Sequence, residues 1–199
     1  YVPCAAMQVE QVILPGETIE IVFVMGTAEH MEKAENDGHY YADLHQAKRE
    51  LLDVQAFWNE KLHAIEVKTP DHAFDIMMNG WLMYQVISCR LWARSAFYQS
   101  GGAFGFRDQL QDSLSIMHIW PEVAKNQIVK HAAHQFIEGD VLHWWHEPEL
   151  KGTRTRISDD YLWLPFVTAA YIERTQDLSL LQITAPFLET ELLKAHEDE

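Results

Sequence analysis

Cysteine is scarce in this 199-residue sequence: Cys4 and Cys89 are the two, far apart, and neither lies in a CxxC or other metal-type spacing. That excludes a disulfide-stapled scaffold and a cysteine zinc site, and reads as free thiols in a reducing compartment. Basic residues are few, with 15 Lys and Arg against 30 Asp and Glu and a net charge of −15. Nucleic acids and anionic membranes both demand a basic face, so neither is expected as a partner. No apolar run approaches the ~20 residues of a membrane span, and no basic-then-apolar leader pattern opens the sequence. A Gly-Lys-Ser/Thr phosphate loop, a dinucleotide fingerprint and a Gly-x-Ser-x-Gly elbow are all missing.

What is present is core material. Hydrophobic residues make up 48% and aromatics 12%, with seven Trp. That is enough for a folded domain, or for part of a larger one. Trp supplies buried area, and also flat platforms on which sugars and bases stack. The first residues, Tyr1-Val2-Pro3, and the last, Ala195-His196-Glu197-Asp198-Glu199, give the expectation of a piece cut from a longer protein.

Along the chain, residues 5–13 and 17–25 read as two strands around the turn Pro15-Gly16. An isolated hairpin is marginal in water, so these strands are expected to finish a sheet or to pack on helices. The pattern turns helical at Ala28, breaks at Asn36-Asp37-Gly38, and resumes over 40–64 as a connector helix packed on one face. Thr69-Pro70-Asp71 starts a helix running to about Ala96. It is apolar nearly all round and is therefore expected to be buried on most faces. Its interruptions, Asn79, Gln85, Arg90 and Arg94, read as surface or satisfied core polar groups. Further helices are expected over 108–119, from Pro121 with Phe136 on its stripe, from Tyr161 to Arg174 behind an N-cap at Ser158 or Asp159, and over 178–196 behind Asp177 with a restart at Pro186. Long connections at 98–107 and 138–158 alternate with short ones at Pro121 and Asp177. The fold class this predicts is mainly α, a ring of helical hairpins with functional loops at one end. About five helices are too few to close it.

Three stretches carry chemistry. In Gln99-Ser100-Gly101-Gly102-Ala103-Phe104-Gly105-Phe106-Arg107-Asp108-Gln109-Leu110-Gln111-Asp112, a glycine turn delivers an Arg-Asp pair and amides to a helix start. Arg offers a fork of donors and Asp two acceptors, which suits a polyhydroxylated ligand. Equally, Arg107 and Asp108 can simply cap the helix and pair with neighbours. The second stretch is His134-Gln135-Phe136-Ile137-Glu138-Gly139-Asp140-Val141-Leu142-His143-Trp144-Trp145-His146. Its tandem Trp144 and Trp145 serve either sugar stacking or packing under the loop. Its histidines, with His131, lack the Glu-bearing zinc motif and read as surface groups at helical spacing rather than metal ligands. In the third, Gly152-Thr153-Arg154-Thr155-Arg156-Ile157-Ser158-Asp159-Asp160-Tyr161-Leu162-Trp163-Leu164-Pro165, the order glycine, Arg, helix-starting Asp is repeated. Two such stretches at one end of a helical ring would face one cleft.

In order and composition these stretches resemble glycoside hydrolase family 94, the inverting β-glucoside phosphorylases. Within that family they are most similar to the catalytic module of cyclic β-1,2-glucan synthetases and β-1,2-oligoglucan phosphorylases. The resemblance runs along essentially the whole chain. It implies that residues 1–26 are the end of an N-terminal β-sandwich, 27–66 a helical linker, and 67–199 the first half of an (α/α)6 barrel. It further implies that phosphate attacks the anomeric carbon of a β-glucoside to give α-glucose 1-phosphate, with one carboxylic acid protonating the leaving oxygen. Arg107 and Asp108 match residues that hold the sugar before the cleaved bond. Gln111, Asp112, Trp144, Trp145, Arg156, Asp159 and Asp160 join them as candidate substrate contacts. Cellobiose-type members carry a further Arg where Gly102 stands, a departure that leans toward the β-1,2 branch. The family's acid lies in an Asp-Trp-Asn-Asp stretch that this sequence lacks, so the chain alone is expected to hold no catalytic acid and to be inactive. No metal or cofactor is implied, only phosphate as co-substrate. The implied partners are a β-glucan oligosaccharide, phosphate and the remaining half-barrel, with homo-oligomerisation an option. The implied location is the cytoplasm, or the cytoplasmic side of the inner membrane. An inverting hydrolase on a similar barrel, or a non-catalytic sugar-binding domain, are the alternative readings.

Overall fold

The computed structural model describes residue 4 and residues 6–95, 101–148, 151–194 and 196–197. Ala5, Ala96, the turn residues Tyr98-Gln99-Ser100, and Ala195 therefore lie outside the described residues. The chain divides into two units, Tyr1–Trp58 and Asn59–Glu199.

In the first unit the turn at Pro15-Gly16 forms: Glu17 N–H donates to Leu14 O at 3.0 Å, and Leu14 N–H to the Glu17 carboxylate at 3.1 Å. The flanking residues are not strands, contrary to the sequence reading. Among the described residues of this unit no ladder forms, as expected when two short runs have no third strand to bury a face against. Helix α1 spans Met31–Ala42 and α2 spans Leu44–Leu62. The break lies at Asp43, not at Asn36-Asp37-Gly38. Asp43 accepts Gln46 N–H at 2.9 Å as the start of α2, whereas Asp37 pairs with Lys33 one turn back and supports α1. Neither helix has a buried residue, so the expected packed face of α2, with Leu51, Leu52 and Val54, is exposed.

The second unit begins with a continuous helical run. Asp71 caps α3 (His72–Ile76) by accepting Ala73 and Phe74 N–H. A π-helical turn at Met77–Trp81, α4 (Leu82–Gln85) and a second π-helical segment at Val86–Trp92 follow. Asn79 accepts Val67 N–H at 2.7 Å and donates to Val67 O at 2.8 Å, which pins the incoming chain to the helix. The expectation of burial on most faces fails here. Ile87 and Leu91 are buried, while Phe74, Ile76, Trp81 and Leu82 are exposed. Both buried residues lie in the Val86–Trp92 segment, which packs against the helix that follows.

Next come β1 (Phe104–Gly105), α5 (Phe106–Ile116), α6 (Pro121–Ala132), β2 (Val141–His146), β3 (Lys151–Thr155), α7 (Asp160–Thr175) and a short 3-10 turn, Leu178–Gln182. Pro121 opens α6 as predicted, since its missing N–H is unpaired there anyway. The connection read as a long loop is a β-hairpin that joins β1 in an antiparallel sheet of order β1-β2-β3. Trp145 stands opposite Gly152, where a side chain would strike the Trp144 carbonyl and the Trp145 side chain. Helices α5, α6 and α7 pack together over the sheet around Phe106, Leu110, Ile128, Trp145, Val167 and Tyr171. The predicted helix over 178–196 is reduced to the 3-10 turn. Asp177 does cap it, through Ser179 N–H at 3.0 Å. Phe136 is buried beyond the end of α6, in a bridge to Leu188.

Candidate functional site

The β1–α5 junction builds the site. Backbone pairing keeps Gly105 extended, and α5 starts at the next residue. Asp108 therefore sits in the first turn of α5 rather than at its N-cap, where a carboxylate still meets the positive end of the helix dipole. An added Cβ on Gly105 would collide with the Asp108 carboxylate, so the glycine is what lets that side chain lie back across the turn. Gln109, nearly fully buried, accepts Gly105 N–H at 2.5 Å and donates to Arg90 O at 3.3 Å. One amide thus ties the junction to the π-helical segment that carries Arg90.

An open polar cleft of about 530 Å³ lies over this junction, lined by Arg90, Arg107, Asp108, Gln111, Asp112 and His143. Asp108 and Asp112 are one helical turn apart, and Arg90 bridges them. Its Nε donates to Asp112 Oδ2 at 3.0 Å, and its Nη2 lies 3.7 Å from Asp108 Oδ1. Burial pushes the Asp112 carboxyl above the usual carboxylate range, with Arg90 pulling the other way. Arg107 donates from Nη1 to Asp159 Oδ2 at 2.9 Å, and its guanidinium lies 5.6 Å from the Trp163 ring. His143 Nδ1 meets Asp160 Oδ2 at 2.7 Å. Asp160 is wholly buried, and that burial raises its carboxyl pKa against the opposing pull of His143.

The structure thus brings Arg107, Asp108, Gln111 and Asp112 into one cleft, with Asp159 and Asp160 just behind it. The other sequence candidates go elsewhere. Trp145 is a fully buried core residue, stacked on Phe104 at 5.2 Å and on His134 at 4.0 Å, which leaves its ring no exposed face for a sugar. Trp144 is partly exposed and edge-on to His146. Arg156 donates to Leu193 O at 2.7 Å and lines a separate cavity of about 360 Å³ with Glu138, Asp140, Arg154 and Tyr161. In that cavity Arg154 is buried and forked onto Asp140 at 2.6 and 2.7 Å. His131 and His134 are buried, not surface groups as the sequence suggests, and turn their Nδ1 atoms onto backbone carbonyls one turn back, Gln127 O and Lys130 O, each at 2.7 Å. Among the described residues no group of three or more His, Cys, Asp or Glu converges as metal ligands. Sequence reasoning missed Arg90 and His143 as cleft residues. The only available signals were a lone Arg in an apolar helix and a His within a polar-aromatic run.

A family model described as the Glycosyl hydrolase 94 superfamily, catalytic domain, matches residues 57–196. The chain belongs to this family. The match contains the whole cleft. Among curated relatives, the cyclic beta-(1,2)-glucan synthase NdvB of Rhizobium meliloti (strain 1021) is 41% identical over 190 residues, 93% of this chain and 6% of that protein. The N,N'-diacetylchitobiose phosphorylase of Vibrio furnissii is 26% identical over 215 residues, 94% of this chain and 27% of that protein. The solabiose phosphorylase of Paenibacillus borealis is 25% identical over 177 residues, 88% of this chain and 22% of that protein. The family 94 chain therefore spans about a quarter or less of the length of these relatives. Among the described residues no helix is long and apolar enough to cross a membrane.

Proposed function

We propose that this chain supplies part of the donor-sugar subsite of a family 94 enzyme acting on β-linked glucans, as in cyclic β-1,2-glucan synthesis. The observation that carries this reading is the convergence of Arg90, Arg107, Asp108, Gln111, Asp112 and His143 in one polar cleft within the family match. Paired Arg and Asp groups at fixed spacing offer donors and acceptors to neighbouring sugar hydroxyls. In the reaction, a phosphate oxygen bonds to the anomeric carbon with inversion as the glycosidic C–O bond breaks. The leaving oxygen takes a proton from a carboxylic acid. That acid belongs to a part of the enzyme outside these residues, so the chain by itself is inactive. In this reading residues 67–199 are half of an (α/α)6 barrel, and residues 1–26 and 27–66 are the end of a β-sandwich and a linker. The exposed apolar side chains of α7, Leu162 and Phe166, then face the other half. On this reading the location is the cytoplasm, or the cytoplasmic side of the inner membrane if the whole protein is a cyclic glucan synthetase.

The test uses the full-length protein that carries this chain, with β-1,2-gluco-oligosaccharides and phosphate, assayed for glucose 1-phosphate. Wild type is expected to form it, and Asp108→Asn to lose at least about tenfold in kcat/KM, the scale of one hydrogen bond to a charged group. Free glucose released without phosphate dependence would make the protein a hydrolase. Sugar binding with no turnover would make it a binding module.

A further inference from the structure

One polar group of the cleft is held unlike the others. In the hairpin Leu142 faces Arg154 and Trp144 faces Thr153, which leaves His143 as the extra residue of a β-bulge. A bulge re-aims a side chain and shifts the alternation of the strand. Here Val141, Leu142 and Trp145 all stay in the core, while His143 is turned out to line the cleft. Its Nδ1 is held at 2.7 Å by Asp160, the first residue of α7. The second oxygen of that wholly buried carboxylate, Oδ1, has no hydrogen-bond partner among the described residues. A buried carboxylate with one oxygen unmatched costs stability. As a carboxylate it can only accept, so the bond assigns a proton to His143 Nδ1 and sets the plane of the ring. Nε2 is the nitrogen left for a ligand.

We propose that His143 is a sugar-contacting residue of this cleft, hydrogen-bonding one hydroxyl of the bound glucosyl unit through Nε2, and that Asp160 is its positioning residue. A hydroxyl is the ligand group that fits. With Nδ1 protonated, Nε2 is an acceptor on the neutral ring and a donor on the charged one, and a hydroxyl can answer either. The neighbouring Asp159 holds Arg107 in the same way, so the two adjacent acids at the start of α7 each fix one donor-bearing side chain of the cleft. This inference rests on the glucosyl-subsite reading above and adds a named contact to it.

The experiment is a cycle between protein and ligand in the full-length protein. The variant is His143→Asn, whose amide nitrogen can keep the bond to Asp160 but which has nothing at the Nε2 position. The ligands are β-1,2-gluco-oligosaccharides and their monodeoxy analogues, each with one hydroxyl of the donor glucosyl unit replaced by hydrogen. The variant is expected to raise KM for the parent sugar roughly five- to tenfold, the scale of one neutral hydrogen bond, with kcat changed less and the Tm within a degree or two. For one deoxy analogue, wild type and variant should have the same KM. Asp160→Asn should give part of the same loss, and the double variant no more than His143→Asn alone. If wild type turns over the glucan and His143→Asn keeps the wild-type KM, or loses equally on every analogue, the inference falls while the functional reading stands. If wild type neither binds nor turns over any β-glucan, both fall.

Discussion

Arg107 and Asp159 stand 52 residues apart in the chain and 2.9 Å apart in the fold, Arg107 Nη1 donating to Asp159 Oδ2. The pair joins the two glycine–Arg–Asp stretches by linking the first turn of α5 to the start of α7. Both side chains are about half exposed, 52% and 45%, so the pair adds little to stability, under about 1 kcal/mol. Its consequence is orientation: Asp159 decides where the Arg107 fork points. In the full-length protein, and on the proposed donor-subsite reading, Asp159→Asn should therefore leave the Tm nearly unchanged and raise KM for the gluco-oligosaccharide severalfold. A Tm drop of the size caused by a core truncation would show instead that the pair is a structural staple.

Gly105→Ala tests the close approach at the β1–α5 junction. Gly105 has an ordinary extended conformation, φ −112°, so alanine meets no backbone strain there. It meets the Asp108 carboxylate, with the Asp108 Cβ itself 3.1 Å away. The side chain must swing off the turn, at a cost of about 1–2 kcal/mol in stability. In the full-length protein, on the proposed donor-subsite reading, sugar affinity should fall as far as it does in Asp108→Asn. Thermal melts and oligosaccharide titration on the same samples separate the two effects.

The tandem tryptophans should behave oppositely. Trp145 is fully buried between Phe104 and His134, whereas Trp144 is 38% exposed. Trp145→Ala should cost about 3–5 kcal/mol of folding stability. Trp144→Ala should cost far less. Urea unfolding of both variants checks this, and equal losses would mean that Trp144 also carries core packing.

The helix starts at Asp71 and Pro121, and the pairing of the two Arg-Asp stretches, were legible because caps, helix-opening proline and repeated order are local signals. The hairpin at 141–155 was not. Its alternation is broken by the bulge at His143, and its glycine stands inside a strand, where glycine reads as loop. The helix read from about Pro70 to Ala96 is overread as buried on most faces. An all-apolar sequence states that its faces avoid water, but not which partner covers them, and only Ile87 and Leu91 are fully covered here. Arg90 reads in the sequence as a surface or satisfied core polar group. Its distance in sequence from Asp112, 22 residues, hid the contact that places it in the cleft.

His131 should make stability fall in mild acid. Its ring is fully buried, edge-on to Phe106 and Trp145, with Nδ1 2.7 Å from Gln127 O and Nε2 3.3 Å from Gly105 O. Burial lowers its pKa from 6.5 to about 4. The folded state then binds fewer protons than the unfolded one between those values, so stability rises with pH across the window. The contribution is complete above pH 6.5 and is lost as pH falls toward 4, by about 3 kcal/mol over the whole range. The raised carboxyls of Asp112 and Asp160 act with the opposite sign, since their protonated forms are favoured by the fold. A comparison with His131→Gln, which keeps both carboxyls, isolates the histidine. Urea unfolding at pH 7 and pH 4.5 should show wild type losing more stability than the variant. Parallel losses in the two proteins would mean that the ring takes up its proton without leaving the fold.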